Sequence, residues 1–92
     1  MVYRWVPLAL DSLRGIEPHE VHQTLGAKRR LPVPGVSGGV RVLAVFGRTH
    51  AGRLLMVLIH LGDDFDHHIT GARDATPDES IMFVAWEASG DD

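Results

Sequence analysis

The stretch RLLMVLIHL at residues 53–61 constrains the fold more than any other part of the chain. Read with a period of two, both alternating sets are apolar: Leu55, Val57 and Ile59 on one side, Leu54, Met56 and Leu58 on the other. A strand apolar on both sides needs cover on both sides, so it belongs near the middle of a sheet with structure on each face. It is far shorter than the ~20 apolar residues that cross a bilayer. With 92 residues there is room for one hydrophobic core, and a single domain spanning 1–92 is expected.

The neighbouring segments extend this reading. VRVLAVFGRT (40–49) is rich in β-branched and aromatic residues, and the turn HAG (50–52) joins it to the central strand as an antiparallel hairpin. GDDF makes the next turn, and DHHITGAR (66–73) is the third strand. TPDESIMFVAWEA then carries a helix-start signature, with Thr76 as N-cap, Pro77 as the first helical residue and Glu79 closing a capping box. The IMFVAW that follows is apolar all round, as in a helix buried or bound to a partner. Upstream, IEPHEVHQTLGA reads as a short helix beginning at Pro18 and stopped by Gly26, with Val21 and Leu25 on one face. Residues 2–10 read as irregular, with Pro7 interrupting any strand. Two prolines and three glycines in KRRLPVPGVSGG rule out a central strand and indicate an exposed loop. The expected class is α+β: an N-terminal helical segment, a three- to four-stranded antiparallel sheet and a C-terminal helix.

Composition excludes several functions. With no cysteine there is neither a disulfide framework nor a thiolate metal site. The N-terminal stretch carries Arg4 and Asp11 within its short apolar run, unlike a signal peptide, so a soluble cytoplasmic protein is expected. The net charge of −3 conceals an asymmetry. No acidic residue lies between Glu20 and Asp63, whereas Lys28, Arg29, Arg30, Arg41, Arg48 and Arg53 all do. Such a block can attract a polyanion such as RNA, or it can face acidic helices within its own fold.

Six histidines raise the question of a metal. His19 and His22 stand three apart on the first long helix, but HEVH is not the four-spaced pattern of zinc proteases. His67 and His68 are adjacent on a strand and point to opposite faces. Asp63, Asp64 and Asp66 lack the spacing of a calcium loop. No metal or cofactor is expected. His60 differs, because it ends an otherwise apolar strand at the edge of the core, where a general acid or base is useful. Arg73 ends the third strand just before the helix start, where it could hold a phosphate, or pair with Asp74, Asp78 or Glu79.

The order YRW, RGIEPHEV, RVLAVFGRTHAGRLLMVLIH and ITGARDATPDE resembles the BrnT-like toxins of the RelE/ParE superfamily, most closely over 47–61 and 69–79. The resemblance implies a small ribonuclease that cuts mRNA, with helices on a curved antiparallel sheet and a cognate antitoxin as partner. It places the family histidine on His60 and the family arginine on Arg73, with Thr76 and Glu79 after them. On this reading His60 carries a proton and His67 or His68 supplies the second transfer group. Arg73 and Glu79 complete the catalytic set, and Lys28, Arg29, Arg30, Arg41, Arg48 and Arg53 bind RNA. Two departures support an alternative: ATPDES stands where the family is basic, and the chain ends in Gly-Asp-Asp. The alternative is a non-catalytic interaction module, homodimeric through the IMFVAW helix, that keeps the fold without nuclease activity.

Overall fold

A computed structural model describes residues 3–11, 13–61 and 67–89. The GDDF turn, Asp66 and the acidic Asp91 and Asp92 lie outside the described residues. The elements are β1 (Tyr3–Trp5), α1 (Pro7–Asp11), α2 (Pro18–Leu25), β2 (Leu31–Ser37), β3 (Val40–Arg48), β4 (Leu54–Leu61), β5 (His67–Asp74) and α3 (Pro77–Ser89). The strands form one sheet in the order β1-β5-β4-β3-β2, with β4 in its centre.

The class is α+β, but the sheet is five-stranded and mixed rather than a three- or four-stranded antiparallel one. The two added strands come from segments that the sequence suggests are irregular or looped. Tyr3–Trp5 pairs in parallel with β5, and Pro7 then opens α1 instead of merely ending a strand. Leu31–Ser37 pairs antiparallel with β3 along its whole length, despite Pro32 and Pro34. Spacing the prolines two apart puts both missing N–H groups on the same side of the strand. Only the outer side of an edge strand tolerates that, and β2 is the edge.

The first face of the sheet is closed by α2. Val21 and Leu25 pack with Ile16, Val45, Leu55, Val57, Ile59 and Ile69 in a single buried cluster. Gly47 allows this approach: a Cβ there would stand 3.0 Å from the Thr24 carbonyl oxygen and 3.1 Å from its methyl group. The second face is crossed by α3, whose Phe83 is completely buried. Glu79 near the start of α3 bonds Arg73 on β5, and Glu87 near its end bonds Arg48 on β3. Both anchors lie at the same end of the sheet, beside Met56 and Leu54. The helix therefore shields part of the second face. Accordingly Leu55, Val57 and Ile59 of β4 are fully buried, while Leu54, Met56 and Leu58 are half-buried.

The β4–β5 ladder contains one irregularity. Ile59 faces Ile69 and Leu58 faces Gly71, which leaves Thr70 as an extra residue. A bulge of this kind changes which face the following side chains take. Strict alternation would place Arg73 with Ile69, towards the core. After the bulge Ala72 takes the core side, packed against the cluster, and Arg73 lies exposed on the side of α3.

Candidate functional site

The carboxylate-free block is largely answered from within the chain. Arg48 donates from Nε and Nη2 to Glu87 at 3.2 and 3.1 Å, and from Nη1 to the Gly52 carbonyl at 3.1 Å. Arg53 grips Asp74 through Nε and Nη2 at 2.7 and 2.9 Å. Its Nη1 reaches the Gly15 carbonyl at 2.7 Å and Glu20 at 3.3 Å. Arg73 donates to both Glu79 oxygens, at 2.7 and 3.0 Å. These forked contacts hold each carboxylate ionised. The Arg73 guanidinium, helped by the Thr76 backbone N–H, brings Glu79 down to about 2. Arg53 lowers Asp74, and Arg48 lowers Glu87.

Arg73 and Glu79 thus satisfy one another. Glu79 also accepts the Thr76 N–H at 2.9 Å, while its own N–H donates to Thr76 Oγ1 at 3.2 Å, completing the capping box. Of the remaining basic residues, Arg29 donates to the Glu87 carbonyl at 2.9 Å, with its guanidinium 5.1 Å from the Trp86 ring centre. Arg30 bonds the Ala27 carbonyl, and Lys28 is exposed. Arg41, also exposed, lies near the far end of β2, paired with Val36. At ~3.4 Å per strand residue it is roughly 20 Å from Lys28 and Arg30, so these cations form no continuous patch.

A different group does converge. His60 on β4 faces Val42 on β3 and His68 on β5, and His68 faces Arg4 on β1. Paired residues share a face, so Arg4, His68 and His60 form one row across the sheet. Directly opposed side chains have Cβ atoms about 5 Å apart. The row is on the face that α3 crosses, with His60 four residues, or ~13 Å, along β4 from Met56. Both imidazoles are half-exposed and Arg4 is exposed. Thr70 Oγ1 donates to the Leu58 carbonyl at 3.3 Å beside them.

The other histidines are placed elsewhere. His67 turns to the opposite face, edge-on to Tyr3 at 5.7 Å, with no hydrogen-bond partner for its buried Nδ1 among the described residues. His22 Nε2 accepts the Trp5 indole N–H at 3.1 Å, and His19 is exposed. Among the described residues no three His, Asp or Glu side chains cluster as a metal would need. A cleft of about 310 Å³ lies between α2 and the β3–β4 turn, lined by His22, Gln23, Gly26, Ala27, Arg48 and His50. The guanidinium facing it is already held by Glu87 and Gly52.

Sequence reasoning set His60 with His67 or His68 as the two proton-transfer groups and did not name Arg4. A three-residue strand paired in parallel with the last strand of the sheet leaves no local signal. Among the described residues, no helix is long and apolar enough to cross a membrane. No protein-family model matches the chain, and no curated protein is significantly similar to it. Fold and site together define a class only: a small α+β domain with a histidine–histidine–arginine row on the α3 side of its sheet.

Proposed function

We propose that this chain is a small endoribonuclease, as its resemblance to the BrnT-like toxins implies. The observation that carries the reading is the pairing of His60 with His68, with Arg4 next in the row. Cleavage needs a base to take the ribose 2′-OH proton as the 2′ oxygen attacks phosphorus. It also needs an acid to protonate the 5′ oxygen as its bond to phosphorus breaks, leaving a 2′,3′-cyclic phosphate. One imidazole acts as base and the other as acid, while Arg4 stabilises charge on the phosphate oxygens. Arg73, Glu79, Arg48 and Arg53 hold the scaffold rather than the substrate. A cognate antitoxin is the partner this reading implies.

The test is cleavage of single-stranded RNA by the purified chain, together with growth on induced expression in a bacterium. His60→Ala and His68→Ala should each abolish cleavage, and a 2′-deoxy nucleotide at the scissile position should block it. No cleavage and no growth arrest would overturn the nuclease reading. They would leave the interaction module, which the exposed Ile81 and Val84 of α3 favour.

A further inference from the structure

We infer that His22 is a positioning residue: by accepting the Trp5 indole N–H it holds β1, and with it Arg4, on the sheet, and it lets go when its imidazole takes up a proton. The consequence for Arg4 rests on the nuclease reading above; the latch itself does not. β1 is three residues long and forms one edge of the sheet, paired with β5. So short a strand makes few ladder bonds and opens easily unless its side chains hold it. The residues on either side of Arg4, Tyr3 and Trp5, turn to the α2 face and pack against the core cluster. Each also meets a histidine edge-on: Tyr3 meets His67 on β5 at 5.7 Å, and Trp5 meets His22 on α2 at 5.8 Å. The second contact is a directed bond, with Trp5 Nε1 donating to His22 Nε2 at 3.1 Å. It ties the edge strand to a helix that packs on β3 and β4.

An indole N–H only donates, so the bond needs an imidazole nitrogen with a free lone pair. Neutral His22 offers one at Nε2 and carries its proton on Nδ1. The imidazolium carries a proton on both nitrogens and offers none, so indole and imidazole then meet N–H to N–H. Imidazole is the side chain that makes this change between about pH 5 and about pH 8. The titratable groups around His22 are His19 one turn back on α2, Arg48 and His50 lining the same cleft, and Tyr3 and His67 beside Trp5. Each of these is neutral or positive, so none offers a counter-charge to a proton on His22. The α2 carboxylate of Glu20 is engaged by Arg53 and the Glu17 N–H. Losing one neutral hydrogen bond at an exposed pair lowers the docked population of β1 about two- to fivefold.

The Val6 N–H, bonded to the Ile69 carbonyl at 3.0 Å, reports the docking of β1 by hydrogen exchange without RNA. Its protection factor, corrected for the intrinsic pH dependence of exchange, should fall about two- to fivefold between about pH 8 and about pH 5. His22→Gln keeps a neutral acceptor and should stay protected throughout. Trp5→Phe keeps a ring without the donor and should show the lower value throughout. In RNA cleavage, the ratio of wild-type to His22→Gln kcat/KM should be near unity at about pH 8 and fall by the same factor by about pH 5. Titration of His60 and His68 is common to both chains and cancels in that ratio. A wild-type protection factor that does not change with pH, or that changes equally in His22→Gln, would overturn the latch. A constant cleavage ratio beside a falling protection factor would overturn the positioning of Arg4. A chain that cuts no RNA at any pH overturns the nuclease reading, and hydrogen exchange then decides the latch by itself.

Discussion

Replacing Arg73 with alanine separates a scaffold role from a catalytic one. In the structure its guanidinium is spent on Glu79. The fall of the Glu79 pKa from 4.5 to about 2 would correspond to roughly 3 kcal/mol at ~1.4 kcal/mol per pKa unit. Because the Arg73 side chain is 47% exposed, solvent screening reduces this to about 1 kcal/mol. For a domain of this size 1 kcal/mol is ~4–8 °C in melting temperature. Arg73→Ala should therefore melt about 5 °C below the wild type at pH 7. Glu79→Ala also loses the capping box, worth a further ~1 kcal/mol, and should melt about 10 °C below. In a double-mutant cycle the two substitutions should be coupled by about 1 kcal/mol. The folded-state pKa of Glu79 lies below its unfolded value, so its contribution is fully present above about 4.5 and is lost as the pH falls towards about 2. The difference between wild type and Arg73→Ala should shrink over that window. Thermal unfolding followed by circular dichroism between pH 7 and pH 3 measures it. An Arg73→Ala variant as stable as wild type but unable to cut RNA would refute the argument and place the arginine on the phosphate.

Gly47→Ala should destabilise by about 2 kcal/mol in chemical denaturation, since the new methyl meets a backbone oxygen that cannot turn away. Thr24→Ser should rescue little of this loss, because it leaves that carbonyl in place. Arg53→Lys should lower the melting temperature although charge is kept, because an ammonium cannot fork onto Asp74 while reaching Gly15 and Glu20. Deletion of Thr70 should abolish the cooperative melt, whereas Thr70→Ala should fold. Without the extra residue, either Arg73 turns towards the core or Ile69 turns out of it. Burying an unpaired guanidinium costs several kcal/mol, against a total stability on the order of 5–10 kcal/mol.

The parts of the fold legible in the sequence were those written in local periodicity. The doubly apolar Leu54–Ile59 run marked the central strand, and Thr76, Pro77 and Glu79 marked the start of α3, because strand alternation and helix capping are each decided within a few residues. β1 and β2 were not legible. Three residues carry no periodicity, and Pro32 and Pro34 read as loop until it is known that one side of their strand faces no neighbour. The charge asymmetry was legible, and of its two readings the facing of acidic helices within the same fold is the one Arg48, Arg53 and Arg73 take with Glu87, Glu20 and Glu79. That Arg48 takes a carboxylate 39 residues away leaves no mark on composition.

The bulge at Thr70 connects the two halves of the candidate site. His68 and Arg73 are an odd number of residues apart, so in a regular strand they would take opposite faces. The one extra residue between them puts both on the same face, where Arg73 anchors the start of α3 and His68 lies beyond it opposite His60. Had the strand run on without interruption, the histidine row could coexist with a helix anchored elsewhere, or Arg73 could reach that face with His68 turned to the core. It could not do both. Holding a helix at one end of the sheet and the histidine row at the other end of the same face therefore depends on a local break in the strand's period. The flanking sequence, ITGAR, shows only a glycine where that break occurs.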